Sequence, residues 1–211
     1  MNRATTDTAR RVVAEWLEEQ TIPPLVARDV PPVDMEQLGD ILAIVGPRRS
    51  GKTFYMYQLI QELLKNGKRS KEDVLFIDFE DYRLSDFAAK DVESLFVAFN
   101  QLTGKHPTFV FFDEVQHLKG CSRVIRTLHN QRRYRVVVSG SNSELLSKEI
   151  STELRGRYRD ILMLPFSFKE VLRFKEIAYS DRTLLSIPQS SMSSRSALSS
   201  LLLRLMKLPS A

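Results

Sequence analysis

Residues 46–53 read Gly-Pro-Arg-Arg-Ser-Gly-Lys-Thr, and no other stretch constrains the fold as tightly. The spacing is G-x-x-x-x-G-K-[ST]. Glycines at these positions let the backbone curl until several N–H groups point at one anion. The lysine then reaches β- and γ-phosphates and the hydroxyl residue reaches Mg2+. Such a loop works between a buried strand and the N-terminus of a helix, and the flanks supply both. Ile41-Leu42-Ala43-Ile44-Val45 is a short apolar run, the pattern of a parallel strand covered on both faces. From 53 to 65, Phe54, Met56, Tyr57, Leu59, Ile60, Leu63 and Leu64 fall at helical spacing, and Asn66-Gly67 ends the run. The phosphate-binding candidates are therefore Gly46, Pro47, Arg48, Arg49, Ser50, Gly51, Lys52, Thr53 and Phe54. Lys52 is also a catalytic candidate, and Thr53 a metal candidate.

Four further strand-like runs follow, at 74–78, 108–112, 135–139 and 160–164. Helical patterns lie between them at about 86–103, 121–131 and 143–154. Alternating β and α with continuous apolar strands predicts an α/β fold, a three-layer sandwich with a parallel sheet covered on both faces. Residues 5–20 read as an N-terminal helix with Val12, Val13, Trp16 and Leu17 on one face. Four prolines make 22–33 an ordered loop rather than a helix. Ser167-Phe168-Lys169-Glu170 has the form of a capping box that starts a last helix, to about residue 177. The domain reading is a helix and proline-rich loop over 1–35, a core over 36–179, and a serine-rich basic tail over 180–211.

The tail holds ten serines and carries +3 of the net +5 charge. Basicity is thus a weak argument that the core binds nucleic acid. Residues 197–208 of the tail suit a short cationic helix; a membrane or partner contact, a packed terminal helix, a disordered tail and a damaged C-terminus all remain open. Cys121 is the single cysteine, so no internal disulfide can form. The first eleven residues lack an apolar signal segment, and no run approaches the roughly eighteen apolar residues of a membrane span. The expectation is a cytoplasmic protein with no membrane partner.

Phe109-Val110-Phe111-Phe112-Asp113-Glu114 is an apolar run closed by two acids. A buried strand of this kind delivers Asp113 to the carboxyl end of the sheet, where open α/β folds bind ligands. Asp113 is the second metal candidate, beside Thr53, and Glu114 is the candidate general base toward a water at the γ-phosphate. P-loop proteins with a glutamate after this aspartate carry an extra strand between the two motif strands. Here 135–139 takes that place, which predicts the order 5-1-4-3-2. Ser139-Gly140-Ser141-Asn142 ends that strand. Its polar groups read as a γ-phosphate sensor, Ser141 and Asn142 foremost, or as a turn with a helix cap. Arg155 and Arg157 read as an arginine finger, in cis or from a neighbouring subunit, or as salt-bridged surface residues. Gln116 and His117 follow the acids closely enough to touch a catalytic water. The arginines from 123 to 135 read as a solvated face, or as a contact for the phosphates of DNA or RNA.

Together, Arg28-Asp29, the 46–53 loop, Asp78-Phe79-Glu80-Asp81-Tyr82-Arg83-Leu84 and Phe112-Asp113-Glu114-Val115-Gln116 form a specific set with Ser139–Asn142, Leu154-Arg155-Gly156-Arg157 and Leu164-Pro165-Phe166-Ser167-Phe168-Lys169-Glu170. Over about residues 10–176 the set resembles the archaeal- and bacterial-type ATPases of the AAA+-like superfamily, near the STAND signalling NTPases. The resemblance implies ATP and Mg2+ as ligands and hydrolysis that drives a conformational switch. A switch or assembly module with little turnover and a DNA-associated ATPase are the alternatives. It leaves a homo-oligomer and a DNA or protein partner open. After about residue 179 the pattern stops, and the tail is expected to be a truncated or aberrant C-terminal segment.

Overall fold

Four of the five strands of the central sheet send alternate side chains into two separate cores. Ile41, Ala43, Leu75, Ile77, Val110, Phe112, Val136 and Val138 fill one face. Leu42, Ile44, Val74, Phe76, Phe109, Phe111 and Val137 fill the other. This is the period-2 consequence of a strand buried on both sides, and it is why the strands read as continuous apolar runs. In this computed structural model the described residues are 3–19, 22–65, 67–141 and 157–175. The expected 143–154 helix, Asn142, Arg155, the end of the last helix and the whole 180–211 tail lie outside them.

The strands are β1 (Ile41–Val45), β2 (Val74–Asp78), β3 (Phe109–Asp113), β4 (Arg135–Gly140) and β5 (Tyr158–Leu162). All pairings are parallel, in the order β2-β3-β4-β1-β5, as the two motif strands imply. β1 thus lies between β4 and β5, with β3 one strand further away. The helices of this unit are α1 (Arg3–Ala14), α2 (Lys52–Lys65), α3 (Val92–Thr103) and α4 (Cys121–Asn130). α2 contributes Tyr55, Met56, Leu59, Ile60 and Leu63 to the second core. α1, α3 and α4 contribute Ala9, Leu95, Phe99, Ile125 and Leu128 to the first. The helix layers therefore cover opposite faces.

The amino-terminal segment is held by more than burial. A π-helical turn, Glu15–Glu19, follows α1 and places Trp16 in the second core. Its indole N–H donates to the Val74 carbonyl at 2.6 Å, and its ring lies 5.3 Å from that of Phe76. Arg83, after β2, takes both the Asp81 and Glu15 carboxylates at 2.5–2.6 Å. α3 begins later than its apolar pattern suggests. Ala88 bridges Lys119 and donates its N–H to the Asp91 carboxylate, so the chain is bound in turns until Val92. β5 begins and ends two residues before the expected 160–164. Its ladder with β1 starts at Ile41↔Tyr158, while Leu162 and Leu164 are exposed on the sheet edge. An apolar run on an edge strand does not mark the hydrogen-bonded span.

Among the described residues, 26–29 and 166–175 belong to a second compact unit. Its helix α5 (Phe168–Phe174) starts with the expected capping box: Ser167 Oγ accepts from the Glu170 N–H at 3.3 Å, and Glu170 accepts from the Ser167 N–H at 2.7 Å. The same Glu170 accepts from Arg28 Nε and from the Asp29 N–H, each at 2.8 Å. Burial alone would raise this carboxyl, but Arg28 and the two backbone donors hold it at about 2.

Candidate functional site

The 46–53 loop leaves β1 and enters α2 with three residues at positive φ: Gly46 at +157°, Arg49 at +62° and Gly51 at +94°. Gly46 is the position that admits no side chain. A Cβ there would lie 2.1 Å from the Met163 carbonyl oxygen, because the chain beyond β5 crosses directly over the loop. Ser50 donates its N–H to Pro47 O at 3.3 Å, and Tyr55 to Gly51 O at 2.9 Å, so the curl runs straight into α2. Its first-turn N–H groups and dipole give the loop a positive end. Pro47, Arg48 and Arg49 are exposed, and Phe54 faces outward at 52% exposure.

Lys52 is 3% exposed, which is rare for a lysine without partners. Its ammonium donates to Pro47 O at 3.3 Å and pairs with Glu114 Oε1 at 3.1 Å. Asp113, the last residue of β3, is 1% exposed. Burial pushes its carboxyl up, against hydrogen bonds from Ser139 and Thr53. Ser139 Oγ donates to Asp113 Oδ1 and accepts from the Glu114 N–H at 3.0 Å. The ends of β1, β3 and β4 and the start of α2 therefore bring Lys52, Thr53, Asp113, Glu114 and Ser139 into one constellation.

Glu114 itself has φ +46° and ψ +46°. A left-handed glutamate costs on the order of 1–3 kcal/mol and persists only where its surroundings impose it. The Asp113 carboxylate and the Ser139 hydroxyl both accept from its N–H. Burial alone would raise its carboxyl. Gln116, Lys52 and Ser141 together hold it below the ordinary range. Gln116 Nε2 donates to Glu114 Oε2 at 2.5 Å and to Ser141 Oγ at 3.1 Å. Next door, Asp78 is in register with Asp113. Burial, together with the negative charge of Asp113, Glu80 and Glu114, pushes Asp78 up to about 6 against its bond from the Glu80 N–H.

Ser139 and Gln116 were legible only as neighbours of stronger signals. Ser139 lies on β4 two residues before Ser141, which is just beyond the strand, and Gln116 follows the acidic pair. Arg157 is not brought to the loop in this structure. Its carbonyl accepts from the N–H of Ile41, the first residue of β1, and its guanidinium meets Asn130 Oδ1 at 3.2 Å. It stands at the amino end of the sheet, roughly 15 Å from the loop at the far end of β1. The Asp81 carboxylate is committed to Arg83, and Glu80 lies 3.6 Å from Arg48. Arg123, Arg126, Arg132 and Arg133 are exposed. A cavity of about 720 Å³ lies between α3 and α4 and takes no residue from the loop.

A family model described as an AAA domain matches residues 39–172, which contain the whole constellation. The chain belongs to the AAA domain family. It is thereby placed among nucleotide-binding P-loop ATPases. An uncharacterized protein of Methanocaldococcus jannaschii is 39% identical over 135 residues, 64% of this chain and 29% of the relative. Another, from Haemophilus influenzae, is 33% identical over 138 residues, 65% of this chain and 34% of the relative. The AAA chain thus spans about a third of the length of these curated relatives. Among solved structures, C. elegans PCH-2 is similar at TM-score 0.43 and 14% identity, over 90% of this chain and 50% of that one. A Drosophila ORC structure bound to AT-rich DNA and Cdc6 is similar at 0.36 and 12%, over 98% and 78%. Among the described residues, no helix of this AAA chain is long and apolar enough to cross a membrane.

The residues fit a nucleotide with a divalent cation. The buried Lys52 ammonium stands in the loop, and Thr53 and Asp113 already share a hydrogen bond. No group of three or more His, Cys, Asp or Glu side chains among the described residues could cage a metal. Mg2+ is commonly held by one or two carboxylates, water and substrate phosphate, and Thr53 and Asp113 offer a hydroxyl and a carboxylate side by side.

Proposed function

We propose that this AAA chain binds Mg-ATP and hydrolyses it, with Glu114 as the base. The observation that carries the reading is the buried Lys52–Glu114 pair, set in the loop beside Asp113. Lys52 is the one loop cation held inside, placed to meet β- and γ-phosphate oxygens. Thr53 and Asp113 would hold Mg2+, which neutralises charge on the phosphates when bound. Ser139 and Thr53 keep Asp113 oriented toward that task. Glu114 accepts a proton from the attacking water, and its depressed pKa keeps it ionised at neutral pH. With phosphate present, Lys52 has a second anion to serve, so Glu114 loses its cation and becomes the stronger base. The ends of β1 and β4 would feel that exchange, which supports a conformational switch coupled to turnover.

Multiple-turnover phosphate release from Mg-ATP tests this. Lys52→Ala should abolish both nucleotide binding and turnover. Glu114→Gln should keep binding and lose turnover by about a hundredfold or more. Turnover in Glu114→Gln equal to that of wild type would remove the base assignment. A nucleotide-bound switch with little turnover is the second reading, favoured by the fact that both Glu114 oxygens are already engaged. ATP binding with no turnover in the wild type would select it.

A further inference from the structure

We propose that Gln116 is a positioning residue that aims the Glu114 carboxylate and ties its direction to the end of β4. The inference rests on the ATPase reading and adds a residue to it. Glu114 presents its two oxygens to different partners: Oε1 to Lys52 and Oε2 to Gln116. Lys52 is the partner a phosphate competes for. Gln116 carries no charge, so phosphate does not draw it away, and its bond remains to hold the carboxylate.

The anchor behind Gln116 is firm. It sits in a single 3-10 turn, Val115–His117, closed by Leu118 N–H to Val115 O at 3.0 Å. Val115 and Leu118, on either side, are 0% and 1% exposed. The orientation of the amide is dictated by chemistry: its two N–H groups face a carboxylate and a hydroxyl, and the reverse orientation would set oxygen against oxygen. The second N–H reaches Ser141, just beyond β4. One amide therefore joins the base to the strand that also holds Asp113 through Ser139. The same orientation leaves Gln116 Oε1 buried with no hydrogen-bond partner among the described residues. An orphaned buried acceptor is costly, and beside a general base it offers a bond to the water that the base activates.

The test is steady-state Mg-ATP hydrolysis by the whole chain carrying Gln116→Met, Gln116→His, Ser141→Ala or Gln116→Met with Ser141→Ala. Methionine keeps the length and removes both donors; histidine keeps an N–H. Gln116→Met should lower kcat about ten- to hundredfold, the range of a hydrogen bond to a charged group, with KM for ATP within about twofold. Gln116→His should recover part of kcat. Ser141→Ala should lower kcat in the same direction, and adding it to Gln116→Met should cost nothing further, because both act through one amide. A wild-type kcat in Gln116→Met, equal losses in the Met and His variants, a KM rising in step with the loss, or multiplying losses in the double variant would each overturn the proposal. If Gln116→Met does not fold, Ser141→Ala decides: unchanged kcat overturns the assignment. Absence of turnover in the wild type sinks the ATPase reading itself. Turnover abolished by Glu114→Gln but untouched by Gln116→Met sinks the positioning role alone.

Discussion

Gly46→Ala isolates the contact that makes the phosphate loop possible. The added Cβ would stand 2.1 Å from the Met163 carbonyl oxygen, 3.0 Å from its carbon and 3.1 Å from Ser50 Oγ. Two of these atoms are backbone, so no rotamer change relieves the overlap. The chain beyond β5 would have to retreat by about 1 Å, against a Met163 N–H to Val45 O bond of 2.7 Å and a Met163 side chain that is 0% exposed. Overpacking of this kind costs about 1–3 kcal/mol. Losing the hydrogen bond adds about 1 kcal/mol, and a non-glycine residue at φ +157° about 1–3 kcal/mol. The expected destabilisation is about 3–7 kcal/mol, a large share of the roughly 5–15 kcal/mol that holds a domain. For a chain of this size the melting temperature should fall by roughly 6–28 °C. Nucleotide affinity should fall with it, because the same retreat opens the loop. Thermal unfolding and titration with a fluorescent ATP analogue measure the two effects. Gly39→Ala is the control: a Cβ there meets nothing within 4 Å, and the change should stay within about 0.5 kcal/mol. A Gly46→Ala protein that melts with the wild type and binds ATP as tightly would refute the packing argument.

Other outcomes are expected from single contacts. Ser139→Ala removes a donor from Asp113 and an acceptor from the Glu114 N–H; the Mg2+ concentration for half-maximal turnover should rise about tenfold. Trp16→Phe loses the bond to Val74 O and some packing against Phe76, and urea unfolding should show about 1–3 kcal/mol of lost stability. Glu170 has a folded pKa of about 2 against an ordinary 4.5, so its contribution is complete above pH 4.5 and drains away as pH falls toward 2. The shift corresponds to about 3 kcal/mol. The stability gap between wild type and Glu170→Gln, from urea unfolding at pH 7 and pH 3, should therefore narrow at the lower pH; a gap independent of pH would rule the ion pair out as its source.

The parts of the fold that could be read from the residues were those where local pattern and burial agree. β1 and β2 match their apolar runs residue for residue, and the acidic pair at the end of β3 implied the strand order. The misplacements have one cause: apolar spacing reports burial and not hydrogen bonding. It carried α3 back into the turns around Ala88 and moved β5 along an exposed edge. At the site, Lys52 and Asp113 were legible because glycine spacing and a buried strand leave them little choice. The bonds of Ser139 and Gln116 depend on how β3 and β4 register, a tertiary fact that Ser-Gly-Ser and Val-Gln do not announce. Arg157 shows the opposite case: its residue type suits the chemistry, but the direction of β5 sets it at the end of the sheet away from the loop.

The chain contains one tryptophan, and the indole N–H of Trp16 is bound to the start of β2 while its ring rests on Phe76. The protein therefore carries its own optical probe. Its emission reports the union of the amino-terminal segment with the sheet, at the end of β2 remote from Asp78. A change in that emission on adding nucleotide would be a signal transmitted through the sheet rather than a contact with the ligand, read without attaching a label.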